Sequence, residues 1–442
     1  MHRLVPLGVL VFALAVGTGI QVARVNDQPM PTKPNVLLIV ADDLGYADLG
    51  CYGCKDIRTP NIDRLATEGV RLTDFYAFPV CSPTRAALIT GRYPQRTGFD
   101  WVIGYKEKDR GLSANNATLA GLLKKQDYTA ALFGKWHLGY KPEFGPNAHG
   151  FDQFFGFLAA DLDYYAHTDA NGDPGLYENG KLVEGEGYLT DLITARSLAF
   201  LKKKRKQPFF LEAAYNAPHW PFQTPDNPDD RRTAKTYGPE TGTRADYIAM
   251  VERLDAGVGK LLDALDDSGL AKDTLVIFLS DNGGERLSDN GPLFHGKYTL
   301  WEGGIRVPCL LRWPNALPAK TVSSQPVIAM DLTASILTAA GAELPKKDPL
   351  DGEDVLPLLS GKKPPRERTF FWRLPRPDDK FGQKAVRRGK WKCIHDRQMD
   401  LLFDLEKDPG ERRNLAFQHP QLVKELRAAL AEWEDSLQAD KP

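Results

Sequence analysis

Short apolar runs that stop abruptly at polar residues recur along the chain. Residues 36–40 (VLLIV) run into Ala41, Asp42 and Asp43, and residues 129–133 (TAALF) into Gly134, Lys135, Trp136 and His137. Residues 209–214 (FFLEAA) run into Tyr215, Asn216, Ala217, Pro218 and His219, and residues 275–279 (LVIFL) into Ser280, Asp281, Asn282, Gly283 and Gly284. Runs of this kind predict strands buried on both faces, as in a parallel sheet covered by helices. The stretches between them carry helical spacing. Tyr247, Met250, Val251, Leu254, Val258, Leu261, Leu262 and Leu265 recur at three-to-four intervals, as do Ile193, Ser197, Leu198 and Leu201, and Leu119, Leu122 and Leu123. Strand alternating with helix predicts an α/β fold on a large mixed, mostly parallel sheet sandwiched by helices. Ligands of such sheets bind beyond the carboxyl ends of the strands. Those ends carry Asp42 and Asp43, Lys135 and His137, His219, and Asp281 with Asn282, so a site is expected there.

After about residue 345 the pattern changes. Residues 369–374, 384–394 and 401–405 read as antiparallel strands with polar turns, and 421–437 as one amphipathic helix striped by Leu422, Leu426, Leu430, Trp433 and Leu437. The expected division is a main α/β unit over 33–345 and a small antiparallel α+β subdomain over 346–442. The basic run from Lys202 to Lys206 closes a helix, where cations complement the helix dipole, and reads as a solvated helix end.

The chain opens on Met1, His2 and Arg3, then an apolar stretch from Leu4 to Ile20, then a polar, proline-containing stretch over 26–34. The apolar stretch is short for a membrane span, and Gly17, Thr18 and Gly19 offer small residues for cleavage. A signal peptide over 1–25 and export, periplasmic or secreted, are expected, with an uncleaved anchor as the alternative. No second apolar stretch follows, so no stable membrane span is expected. With 57 basic and 58 acidic side chains the formal charge is −1, which argues against a nucleic-acid partner. A hydrophobic share of 42% excludes a disordered chain. Five cysteines do not make a disulfide scaffold at this length. Cys51 and Cys54 either pair or stand as free thiols, Cys309 and Cys393 fall in strand-like contexts as packing residues, and Cys81 remains.

Asp42, Asp43, Asp281 and Asn282 offer only oxygen donors, which suits a hard cation, Ca²⁺ or Mg²⁺, and disfavours zinc. The competing reading is that acidic residues at strand ends cap helices. Cys81 opens the segment CSPTRAALITGR, residues 81–92. Pro83 is placed for the first turn of a helix through Ile89, which sets Cys81 just ahead of a helix N-terminus, with Arg85 one turn on.

That segment resembles the signature of the formylglycine-dependent sulfatases (type I, in the alkaline phosphatase superfamily), in which the Cys of Cys-x-Pro-x-Arg is oxidised to formylglycine (3-oxoalanine). The resemblance extends to residues 34–43, Gly134-Lys135-Trp136-His137, Asn216-Ala217-Pro218-His219, Ser280 to Gly284, Lys297, Trp301 to Arg306, and Trp391-Lys392 with residues 403–409, in the family's order. It implies an alkaline phosphatase/sulfatase-like fold and a sulfuric ester hydrolase. It implies calcium held by Asp42, Asp43, Cys81, Asp281 and Asn282, and maturation by a formylglycine-generating enzyme. Arg85, Lys135 and Lys297 would neutralise the sulfate. One hydroxyl of the formylglycine hydrate would attack sulfur and the other would let the sulfate leave by elimination. His137 would be the base for that elimination, and His219, with Lys297, would protonate the leaving oxygen.

The substrate expected is a sulfated saccharide. Trp220 offers a face for a sugar, Asp161, Asp163, Tyr164 and Tyr165 cluster in a long loop after residues 150–152, and His295 precedes Lys297 by two residues. The alternatives are a phosphomonoester or phosphonate-ester hydrolase of the same superfamily, and a silent glycan-binding homologue. The sequence leaves the oligomeric state open.

Overall fold

The computed structural model describes residues 33–230, 232, 235–376 and 379–439, so the leader expected over 1–25 lies outside the described residues. The predicted apolar runs are strands β1 (Asn35–Ala41), β2 (Thr129–Lys135), β4 (Phe209–Ala214) and β5 (Thr274–Ser280), with β3 (Gln153–Phe157) between β2 and β4 in the chain. They lie side by side and parallel in the order β5-β1-β4-β2-β3 at the centre of a ten-stranded sheet. A sixth strand, β6 (Cys309–Arg312), joins β5 antiparallel and makes the sheet mixed.

Alternate residues of β1 enter opposite layers, as period-two side chains require. Val36, Leu38 and Val40 face α1 (Cys81–Thr90) and α4 (Ala329–Ala339), whereas Leu37, Ile39 and Ala41 face α2 (Leu189–Lys202) and α3 (Arg244–Asp267). The apolar stripe expected on α3 is buried from Tyr247 to Leu265, and Thr243 with Asp246 forms a capping box at its start.

The C-terminal part is a four-stranded antiparallel sheet, β7 (Thr369–Arg376), β8 (Asp379–Arg388), β9 (Trp391–Asp396) and β10 (Met399–Asp404), covered by α5 (Pro420–Ala439). Residues 384–394, expected as one strand, are two. The chain reverses between β8 and β9 at Gly389, whose φ of 56° is left-handed and which a side chain would strain. A second correction concerns residues 153–157, expected as the start of a loop; buried by Phe154, Phe155 and Phe157, they extend the parallel sheet.

Cys51 and Cys54 are free, half-buried thiols, while Cys309 and Cys393 are buried in β6 and β9. Lys202, Lys203 and Lys204 are exposed at the end of α2, the solvated helix end expected. Among the described residues no helix is long and apolar enough to cross a membrane.

Candidate active site

Strand register brings the polar ends together. Val40 pairs with Ala214, Ala41 with Ser280, and Gly134 with Ala214, so β1, β2, β4 and β5 stop level with one another. The residues just past them are tied across: Asp42 N donates to Ala217 O (3.2 Å) and Asp281 N to Ala41 O (3.0 Å). Gly134 makes this convergence possible, because a Cβ there would meet Ala214 O at 1.9 Å.

Asp42, Asp43, Asp281, Asn282, Arg85, Lys135, His137, His219 and Lys297 are all buried in one cluster around Cys81. Lys135 Nζ donates to Asp42 Oδ2 at 2.5 Å and Lys297 Nζ to Asp43 Oδ2 at 2.7 Å. Arg85 grips Asp281 Oδ2 through Nε (3.1 Å) and Nη2 (2.9 Å), and its Nη1 donates to Lys135 O (3.0 Å). Burial opposes the charge of Asp43, but Lys297, His219 and Lys135 outweigh it and hold its pKa at about 2. At Asp281 burial, reinforced by the charge of Asp42, wins over Arg85 and pushes it up to about 6.

Cys81 opens α1 as its first residue, one position further in than expected. Pro83 falls in the first turn, where a missing N–H leaves no carbonyl unpaired. Thr84 Oγ1 accepts from Phe78 N at 2.8 Å and fixes the approach to the helix. Cys81 Sγ lies 3.6 Å from Asp42 Oδ1. Burial pushes the thiol far up, against the pull of Lys135 and Lys297, so an unmodified Cys81 is protonated and weakly nucleophilic.

The two histidines are held differently. His137 Nε2 lies 3.1 Å from Ile103 O. A carbonyl only accepts, so Nε2 carries the proton and the buried, unpartnered Nδ1 keeps a free lone pair. Burial and Lys135 keep this ring neutral. His219 Nδ1 lies 2.6 Å from Trp220 O, which turns Nε2 toward Asp43 Oδ2 at 3.6 Å. Burial lowers this imidazole to about 3 even with Asp43 beside it.

A hard cation fits these residues. The carboxylates of Asp42, Asp43 and Asp281 converge away from water, and Asn282 Oδ1 is buried without a partner while its Nδ2 donates to Asp43 Oδ1 at 2.7 Å. Ligand atoms of Asp42, Asp43, Cys81 and His219 lie within 4.8 Å of one another.

The residues expected to read the substrate separate into two groups. Asp163 is taken up inside its own loop, accepting from Tyr165 N, Ala166 N and Gln223 Nε2, and the Tyr164 hydroxyl holds the 216–219 segment through Asn216 O (3.0 Å) and His219 O (2.9 Å). Both position the site's wall, and neither presents a free polar group. Trp220 packs on His219 with ring centroids 4.7 Å apart, and His295 is exposed beside Lys297. Asp161 is buried; its Oδ1 accepts from Tyr105 Oη at 2.5 Å, and its Oδ2 lacks a hydrogen-bond partner. Burial, despite Tyr105 and Lys135, raises it to about 6. Sequence reasoning missed Tyr105 and Tyr237, the latter packed on Trp220 at 6.1 Å. Neither lies on a periodic stripe or in a motif; aromatic residues in loops were their only signal.

Known proteins resemble the chain over most of its length. The sulfatase family model matches residues 34–342, and that of the N-sulphoglucosamine sulphohydrolase C-terminal region matches 292–436. The chain is 34% identical to N-acetylgalactosamine-6-sulfatase of Homo sapiens over 88% of its own length and 82% of the relative's. It is 36% identical to arylsulfatase A of Homo sapiens over 91% of its length and 85% of the relative's. The crystal structure of Ps i-CgsB in complex with k-i-k-neocarrahexaose superposes with a TM-score of 0.84 at 35% identity, covering 91% of this chain and 93% of that one.

Proposed function

The chain belongs to the sulfatase family, in the alkaline phosphatase superfamily, and is a sulfuric ester hydrolase; within that activity we propose that it removes sulfate from a carbohydrate. In this reading Asp42, Asp43, Asp281 and Asn282, with the side chain derived from Cys81, hold calcium, and Cys81 is oxidised to formylglycine by a formylglycine-generating enzyme. The observation that carries it is the buried meeting of Arg85, Lys135 and Lys297 with the carboxylates of Asp281, Asp42 and Asp43 beside the Cys81 thiol.

A sulfate ester is an anion that repels nucleophiles, and buried cations act on it without the screening they would suffer in water. Arg85, fixed by Asp281, and the Lys135 and Lys297 ammonium groups would receive the sulfate oxygens. Calcium held there would supply Lewis-acid polarisation of the sulfate. The formylglycine hydrate supplies two hydroxyls on one carbon, one for attack and one for release. His137, with its proton held on Nε2 by Ile103 O, offers Nδ1 to take a hydroxyl proton. His219, with Nδ1–H donated to Trp220 O, turns Nε2 toward the leaving oxygen and would need a second proton there to act as the acid, whereas the neighbouring Lys297 ammonium already carries one.

A sugar is favoured over a free aryl sulfate because the relatives include an enzyme named for N-acetylgalactosamine and a structure holding neocarrahexaose. In this reading Trp220, Asp161 and His295 meet the sugar. A boundary at residues 345/346 and export of the chain behind a leader over 1–25 complete the reading. The test is release of inorganic sulfate and inorganic phosphate, followed by ion chromatography, from sulfated saccharides and aryl phosphate. Sulfate release that a chelator stops and calcium restores is expected; faster release of phosphate would replace the reading with a phosphohydrolase.

A further inference from the structure

Several non-glycine residues of the site adopt left-handed backbone: Asp43 (φ 64°), His137 (56°), His295 (63°) and Tyr298 (67°). For a bulky aromatic residue this region is an outlier, sustained only where the surroundings enforce it. At Tyr298 they do. Its N–H donates to Pro79 O at 3.0 Å, two residues before Cys81, and Thr299 Oγ1 donates to Gly296 O at 2.7 Å. The chain thereby passes in one step from Lys297, 7% exposed, to Tyr298, 39% exposed. The ring centroid lies 5.1 Å from Lys297 Nζ. Trp101 meets the same ring at 6.0 Å, with 35° between the planes. Trp101 belongs to the stretch that supplies Ile103 O to His137, so the two rings come from the segments that place His137 and Lys297.

We infer that Tyr298 and Trp101 form an aromatic subsite for the sugar ring that bears the scissile sulfate. The inference rests on the carbohydrate reading above and deepens it. The oxygen that leaves sulfur is bonded to the sugar and has to face His219 and Lys297. The sugar attached to it then extends outward past Lys297, toward the partly exposed Tyr298 and Trp101. A pyranose presents a C–H-rich face, and an aromatic ring offers rigid apolar area to it at the cost of few rotamers.

The test uses the matured, calcium-loaded enzyme with N-acetylgalactosamine 6-sulfate and a sulfated neocarrahexaose as substrates, and inorganic sulfate as a competitor that probes the charge pocket alone. Tyr298→Ala and Trp101→Ala should each raise the saccharide KM by about three- to tenfold. Tyr298→Phe, which keeps the ring, should retain the wild-type KM, and inhibition by inorganic sulfate should be unchanged in all three. An unaltered saccharide KM in the folded alanine variants overturns the subsite. Equal weakening of inorganic sulfate also overturns it, by making Tyr298 a support for Lys297. A wild-type enzyme that cleaves nitrophenyl sulfate but no saccharide would instead contradict the carbohydrate reading, and the subsite with it.

Discussion

The charges around Asp42 and those around Glu302 are equally buried and are linked by the same stretch of chain, residues 284–306, yet they are finished differently. The second cluster lies between the helical turn Glu302–Ile305 and the C-terminal sheet. Glu302 accepts from Tyr76 Oη (2.6 Å) and Lys392 Nζ (2.8 Å) and lies 3.3 Å from Arg306; Lys392 also lies 2.9 Å from Glu411, and Asp74 pairs with Arg306 and Arg387. Burial opposes the charge on Glu302, but Lys392, Arg306 and Arg387 outweigh it and hold it at about 2. Glu411, sharing Lys392 with Glu302, is pushed by burial up to about 7 and takes the proton. Charge here is settled internally. Left-handed backbone occurs in both clusters, at Glu411 as at Asp43 and His137, and the ion pairs around Asp42 are as short; but there the neutral atoms Asn282 Oδ1 and His137 Nδ1 are buried without partners, whereas Glu411 Oε1 has the Lys392 ammonium at 2.9 Å. A buried polar atom without a partner destabilises the fold unless a ligand completes it. The difference separates a site built to receive something from a joint built to stay closed.

The comparison implies that changes at the first cluster remove activity and changes at the second remove stability. The largest expected effect is Cys81→Ser, which should be sulfated once and then stall, because serine has one hydroxyl and no second for release. Steady turnover at the wild-type rate would break the proposed chemistry. His219→Ala should slow a sugar sulfate by about 10²–10⁴ in kcat/KM and an activated nitrophenyl sulfate much less, since a nitrophenolate leaves without a proton. Equal losses on the two substrates would move the acid to Lys297, because burial holds the His219 imidazole at about 3.

At the second cluster, Lys392→Met leaves two buried carboxylates without their shared cation and should destabilise the fold by about 3–5 kcal/mol, read by chemical denaturation. KM for nitrophenyl sulfate should stay within about twofold, because distant sites act independently. A large KM change would mean that the joint tunes the site. The smallest effect is in pH dependence. Glu411 binds its proton more tightly folded (about 7) than unfolded (4.5), so its contribution is present below pH 4.5 and is lost as pH rises through 7. Glu411→Gln cannot titrate there, so its melting temperature should fall less than the wild type's between pH 6 and 8; identical slopes would remove Glu411 as the source.

The parts legible in the sequence were those with a periodic or local signature. Apolar runs marked β1, β2, β4 and β5, their polar ends marked the site, and the segment from Cys81 to Arg92 carried its own motif. What stayed hidden depends on contacts distant in the chain. Glu302, Lys392 and Glu411 look like ordinary surface charges until folding buries them together. Tyr105, Tyr237, Trp101 and Tyr298 sit in aperiodic loops, where chain position says little about what a ring faces. Asp163 and Tyr164 also depend on such contacts, since their polar atoms are occupied by residues 165 and 166 of the loop and by the 216–223 segment, which the sequence does not show.

The central claim is that the cluster around Asp42 is completed by a modified Cys81, and mass spectrometry of the Cys81 peptide tests it most directly. A preparation at full specific activity should give that peptide about 18 Da lighter than the thiol form, the change from a thiol to an aldehyde side chain. A fully active preparation carrying only the unmodified thiol would contradict the account.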